Sequence, residues 1–212
     1  MLFNPKRNTE LLLLFLLIFT LINTGCKKKI RGCMDSTSIN YNPLATQDDG
    51  SCAHMAIGES YQGGNIFYLL TTADVGYDSN VKHGLIAAPT DQSAGKQWFN
   101  GTYMVTYATD ITVGTGNSNT NSIVVRQGAG SYAAKLCSDL DLGGYNDWYL
   151  PSKDELKHLY ENKSAVGGIT NGTYWSSTEG SSSGAWGQAF DTGAQINYGK
   201  NLTWCVRAVR TF

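Results

Sequence analysis

The apolar positions change period several times along the chain, and each change marks an element. Ile66-Phe67-Tyr68-Leu69-Leu70 follows Gly63-Gly64 and reads as a first strand. Gly84 to Ala88 reads as a second, ended by Pro89. Asp91 to Trp98 and the glycines beyond read as loop. Gly114 to Thr120 lacks the Gly-Lys-Ser/Thr ending of a phosphate loop, so it reads as a turn into a helix. That helix is predicted from Thr120 or Asn121 to Leu140, broken or kinked at Gly128 and Gly130. Ala133, Leu136, Cys137 and Leu140 have i, i+3, i+4, i+7 spacing on one face.

The next stretch, Gly143-Gly144-Tyr145-Asn146-Asp147-Trp148-Tyr149-Leu150-Pro151-Ser152, organises its neighbours. Pro151 pushes Leu150 out of the α region, so the chain arrives extended. Ser152 and Glu155 have capping-box spacing and open a second helix with Leu156, Leu159 and Tyr160 on its apolar face. Trp148 and Leu150 are predicted to be buried. His158 reads as a surface residue. Gly172 to Thr178, Ala185 to Phe190 and Ala194 to Tyr198 alternate as strands, with a turn at Asp191-Thr192-Gly193. Thr203 to Arg210 reads as one closing strand, with Trp204, Val206, Ala208 and Arg210 on one face and Cys205, Arg207 and Val209 on the other. The class is α+β: two helices, a loop-rich antiparallel sheet, and N- and C-terminal strands that pair.

The front of the chain is different. Lys6 and Arg7 precede an apolar run from Leu11 to Ile22, interrupted at Thr20. That is short for a membrane span of roughly 20 residues and suits a signal h-region. Asn23-Thr24-Gly25-Cys26 then resembles a bacterial lipobox, which makes 1–25 a lipoprotein signal peptide and Cys26 the lipidated N-terminus of an envelope-anchored chain. Residues 26–31, with Lys27, Lys28, Lys29 and Arg31, form a basic tether. The net charge of −1 gives no field for nucleic acid. With Cys26 acylated, four of five cysteines remain, and an exported chain is expected to oxidise them. Four cysteines allow three pairings; Cys33–Cys52 is the local one.

That pair brackets 32–52, a stretch almost without apolar residues, for which a disulfide is the obvious clamp. Ending in Asp48-Asp49-Gly50-Ser51-Cys52, it resembles a thrombospondin type-3 calcium repeat. Asp35, Asn40, Asp48 and Asp49 are the candidate oxygen ligands for Ca²⁺. The same residues also suit a cluster of Asx turns without metal. A linker is expected at 53–58.

Four pieces of the remainder carry a family resemblance: Ala133-Ala134-Lys135-Leu136-Cys137, Gly143 to Ser152, Tyr174-Trp175-Ser176-Ser177-Thr178-Glu179, and Val206-Arg207-Ala208-Val209-Arg210. In this order they resemble the Lcl_C family, named for the C-terminus of a collagen-like bacterial adhesin, and the similar Fib_succ_major domain. The resemblance covers roughly 59–212 and implies a C-type lectin-like fold with a Cys137–Cys205 disulfide. It further implies a non-enzymatic binding or adhesion module for a glycan or surface ligand. The E-P-N or Q-P-D sugar motifs of calcium-dependent lectins are missing, so a metal-free site of stacking aromatics and amides is expected. Glu179, Trp186, Asn197, Tyr198, Lys200 and Asn201, on or near the late strands and loops, are its candidates.

Two alternatives stand beside this reading. The same skeleton resembles formylglycine-generating enzymes, which need a reactive cysteine pair late in the chain; a free thiol at Cys205 would reopen that possibility. His54, His83 and His158 are scattered, and no H-E-x-x-H or G-x-S-x-G occurs. The other is a variable ligand-binding target of a diversity-generating system, with which the Asn-, Ser-, Tyr- and Gly-rich run from Gly180 to Asn201 is compatible. The lipobox reading has a direct test. Cells expressing the chain should incorporate labelled palmitate, and Cys26→Ala should abolish the label; a variant that still labels rejects the anchor.

Overall fold

The computed structural model describes residues 28–36, 38 and 40–212. The leader and Cys26 lie outside them. The chain divides into two compact units, Met1–Ala53 and His54–Phe212. Among the described residues, no helix is long and apolar enough to cross a membrane.

In the first unit, β1 (Arg31–Gly32) pairs in parallel with β2 (Gln47–Asp48). Cys33 and Cys52 form the expected disulfide. Three of the candidate calcium ligands bond backbone within the repeat and its border. Asp48 Oδ1 accepts from Gly50 N at 3.1 Å, and Asp49 Oδ1 from Ser51 N at 3.0 Å. The Asn40 amide donates to Ser51 O at 2.6 Å and accepts from Ala53 N at 2.9 Å. The Asp48 and Asp49 bonds are Asx turns, whereas Asn40 bridges to the end of the repeat, and no three His, Cys, Asp or Glu are grouped for a metal among the described residues.

The second unit is α+β. Helices α1 (Gly116–Gln127), α2 (Ala133–Ser138), α3 (Lys153–Glu161) and α4 (Lys163–Val166) accompany two sheets. One sheet is antiparallel, with β3 (Ser60–Tyr61), β4 (Gly64–Leu69), β5 (Gly84–Ala87) and β11 (Val209–Thr211) in the order β11-β5-β4-β3. The other comprises β6 (Ser93–Gln97), β7 (Thr173–Glu179), β8 (Gly184–Ala189), β9 (Gln195–Gly199) and β10 (Thr203–Val206) in the order β6-β10-β7-β8-β9. The contact of β10 with β7 is parallel, so this sheet is mixed and not antiparallel throughout.

Several expectations are corrected here. The second unit has four helices in place of two; the helix predicted up to Leu140 is broken at Gly128 and Gly130, as expected, into α1 and α2, and ends at Ser138. It begins at Gly116, four residues before Thr120. Asp91 to Trp98 is not all loop: its Ser93–Gln97 core pairs with β10 as an edge strand. The closing stretch is two strands in two different sheets; its last one pairs with β5, so N- and C-terminal strands do pair. The break lies at Arg207, whose side chain is fully buried and donates to Asp91 Oδ1 at 2.7 Å, Ala88 O at 2.5 Å and Gly168 O. Gln92 takes the Ala208 N–H that a continuous strand would have used.

Cys137 and Cys205 are both thiols, which overturns the expected Cys137–Cys205 disulfide. They lie in separate cores. Trp148, Leu150, Trp175 and Val206 pack with Ile123, Ala133 and Cys137. Tyr149, Tyr174, Cys205 and Val209 pack with Phe67, Leu156, Leu159 and Phe190. Sequence neighbours such as Tyr174 and Trp175, or Cys205 and Val206, therefore face opposite cores, as the two-residue period of a strand requires. Strands buried on both faces read as near-continuous apolar runs.

The Gly143 to Ser152 stretch sits between these cores. Gly143 has φ 66°, and a side chain there would run into the Gly63 backbone. Trp148 and Leu150 are buried, as predicted. Ser152 caps α3 in a capping box completed by Glu155. The fully buried Glu155 carboxyl accepts from Ser152 N (2.8 Å), Gly114 N (2.8 Å) and Gly116 N (3.4 Å), tying α3 to the start of α1. Burial pushes its pKa from 4.5 up to about 7, against the pull of those three donors. Glu155→Ala should cost about 2–4 kcal/mol, because three buried N–H groups lose their acceptor. The folded pKa lies above the unfolded one, so the ionisable group's contribution is full below about pH 4.5 and lost as pH rises toward 7. Melting curves of wild type and Glu155→Gln should show the wild type's relative stability declining across that window.

Candidate binding site

Between β6 and α1 the chain from Trp98 to Thr115 forms neither helix nor strand. Its backbone groups still need partners, and side chains supply them. Asn100 N donates to Gln127 Oε1 at 3.0 Å. Asp110 O accepts from Thr178 Oγ1 at 2.9 Å and Asn119 Nδ2 at 2.6 Å, and Thr112 O from Ser152 Oγ at 2.9 Å. At the middle, the Glu179 carboxylate accepts from Thr106 N (2.9 Å) and Tyr107 N (3.0 Å), while Glu179 N donates to Ala108 O at 2.7 Å.

Pinned this way, residues 103–108 alternate in exposure. Tyr103, Val105 and Tyr107 point to solvent, and Thr106 and Ala108 are buried. Tyr107 is 66% exposed and has φ 62°, a conformation that residues with a Cβ seldom adopt. Its ring lies 4.6 Å from the Arg126 guanidinium of α1. Thr106, Tyr107, Asn121, Ser122, Val125 and Arg126 line a groove of about 370 Å³. Among the described residues Arg126 has no carboxylate within salt-bridge distance, and Val125 is 82% exposed. Aromatic face, cation, amide and hydroxyl thus open on one groove.

A second cleft, of about 350 Å³, lies between Asp74, Thr112, Asp154, Lys157 and His158. Asp74 and His158 are engaged by neighbours outside the lining. Asp74 accepts from Tyr68 OH and from Thr71, and those bonds hold its carboxyl below the usual range despite burial. His158 stacks on Tyr68 and contacts Glu161.

The six residues expected to bind ligand do not form one site. Glu179 and Lys200 are buried and bonded to each other at 2.5 Å, so neither faces a ligand in this structure. Trp186 and Asn197 stand opposite each other on β8 and β9. The Lys153 ammonium lies 3.8 Å over the Trp186 ring. Tyr198 is on the other face, edge-on to Trp204 at 4.1 Å, and packs against the core. Asn201 is exposed, and its carbonyl accepts from Gln97. Strand alternation separates what sequence proximity grouped. The exposed alternation Tyr103-x-Val105-x-Tyr107, whose last residue lines the groove, lies inside a stretch that reads as loop.

Burial raises the pKa of both free thiols, Cys137 far up and Cys205 less so. Neither is held as a thiolate, and they do not form a reactive pair.

The signature pieces interlock. Asp147 makes a two-pronged pair with Arg210 at 2.6 and 2.9 Å, which lowers its pKa. Tyr149 and Val209 exchange backbone hydrogen bonds at 2.8 and 2.9 Å. Ser177 N donates to Pro151 O at 2.7 Å, and Lys153 N to Thr178 Oγ1 at 3.0 Å. No curated protein matches the chain. The sequence profile of the Lcl C-terminal domain matches residues 87–210, which contain all four pieces of the resemblance and more than half of the chain. The chain belongs to the Lcl C-terminal domain family.

Proposed function

We propose that this chain is a non-enzymatic binding or adhesion module, lipid-anchored at Cys26 in the cell envelope, which recognises a glycan or another surface ligand. The reading of the domain as C-type lectin-like belongs to the same proposal. One observation carries the choice of surface. An irregular segment exposes alternate apolar side chains, Tyr103, Val105 and Tyr107, while buried polar groups hold its backbone. Exposed aromatics on a fixed backbone lose little conformational freedom when they bind. The groove beside Tyr107 offers a ring for the apolar face of a sugar and Asn121, Ser122 and Arg126 for its hydroxyls or acidic groups.

The full chain, solubilised in detergent, should bind members of a printed oligosaccharide array and should keep that binding in EDTA. Tyr107→Ala should weaken it about tenfold or more, the scale of a lost aromatic anchor. Trp186→Ala should leave it unchanged. The opposite pattern would return the site to β8 and β9, and loss in EDTA would contradict a metal-free site.

A further inference from the structure

Glu179 and Lys200 are the most conspicuous charges in the interior, and neither touches the groove. Lys200 is fully buried and Glu179 5% exposed. The ammonium has three donors and uses three acceptors: Glu179 Oε1 at 2.5 Å, Met104 O at 3.0 Å and Ser182 O at 3.1 Å. It also lies 4.5 Å from the Trp98 ring. The carboxylate takes the Thr106 and Tyr107 amides on its other side. Burying a charge pair seldom adds stability over an apolar pair of the same size, so its retention needs another explanation.

The partners supply one. Met104 O, Thr106 N and Tyr107 N are three consecutive anchor points on the one segment that exposes Tyr103, Val105 and Tyr107. Tyr107 is held at positive φ, where its own preference would turn the ring elsewhere. We infer that Glu179 and Lys200 are positioning residues: the ion pair clamps the Met104–Tyr107 backbone and so presents the Tyr107 ring to the groove beside Arg126. The inference rests on the groove being the binding surface, but its mechanical part stands without any ligand.

Amide hydrogen exchange on the full chain reads the clamp directly. In wild type, Thr106 and Tyr107 should be protected although Tyr107 is exposed. In Glu179→Gln/Lys200→Met, those two amides should exchange at least tenfold faster, while the α3 and β7 amides at Leu156 and Trp175 keep wild-type protection. Glu179→Asp, which keeps the charge pair but shortens its reach, should release the same two amides. On the oligosaccharide array both variants should lose signal at least tenfold. Tyr107→Gly should keep Thr106 protected and melt no lower than wild type, yet lose the signal, because glycine accepts the positive φ but has no ring. Unchanged protection in both Glu179 variants overturns the inference. So does a released loop that still binds, or global loss of protection in both. If wild type binds nothing on the array, the proposed function fails, and exchange alone decides whether the clamp exists.

Discussion

Backbone amides that leave the sheet must still find acceptors, and the second unit is arranged around that constraint. The chain between Trp98 and Thr115 crosses the domain without regular structure. Two buried carboxyl groups grip it. Glu179 holds Thr106 and Tyr107, and Glu155 holds Gly114 and, beyond it, Gly116. Each of these acids comes from a regular element, the end of β7 or the first turn of α3. The rigid parts thereby fix the irregular part at its middle and at its end. An acceptor-only group with two oxygens suits this task because it can take several N–H donors at once.

The two acids solve the problem of a buried charge differently. Glu155 sits at a helix start among three backbone donors with no cation beside it, and burial raises its pKa to about 7. Glu179 has a lysine, and that lysine brings two further carbonyls into the network. Burial lowers the Lys200 pKa, while the Glu179 contact pulls it back up. The first arrangement fixes how α1 and α3 meet. The second reaches from β7 and the end of β9 to the exposed segment. Position within the domain thus separates a fold-forming acid from one whose effect is felt at the surface.

Much of the fold was legible because local chemistry dictated it. The Ser152 and Glu155 pair announced its cap, Leu156 and Leu159 announced the buried face of α3, and Trp148 and Leu150 lie where the turn and the proline place them. The failures share a cause. Arg207 interrupts what reads as one strand, because its guanidinium is consumed by Asp91, Ala88 and Gly168, all distant in sequence. The resemblance implied that Cys137 and Cys205 pair, yet helix α2 carries one into the first core and strand β10 carries the other into the second. Glu179 and Lys200 looked like loop groups open to ligand, and each found the other inside. Long-range partners decide all of these, and no local period encodes them.

The same distinction explains why resemblance reveals the family more readily than the ligand. Three of the four pieces that carry the resemblance bond to one another. Asp147 is occupied by Arg210; Tyr149 joins Val209; Pro151 and Lys153 meet Ser177 and Thr178. A substitution at any of them would disturb another, so a recognisable pattern there reflects the frame. Val105 and Tyr107 point away from that frame and their side chains can differ without breaking it, while the exposed Tyr103 stacks on Phe99. Their backbone is another matter, since Thr106 and Tyr107 present N–H groups that any non-proline residue would also present to Glu179. A scaffold that grips main chain and leaves side chains outward can keep one fold while its surface changes, so specificity should be sought in the residues that the signature omits.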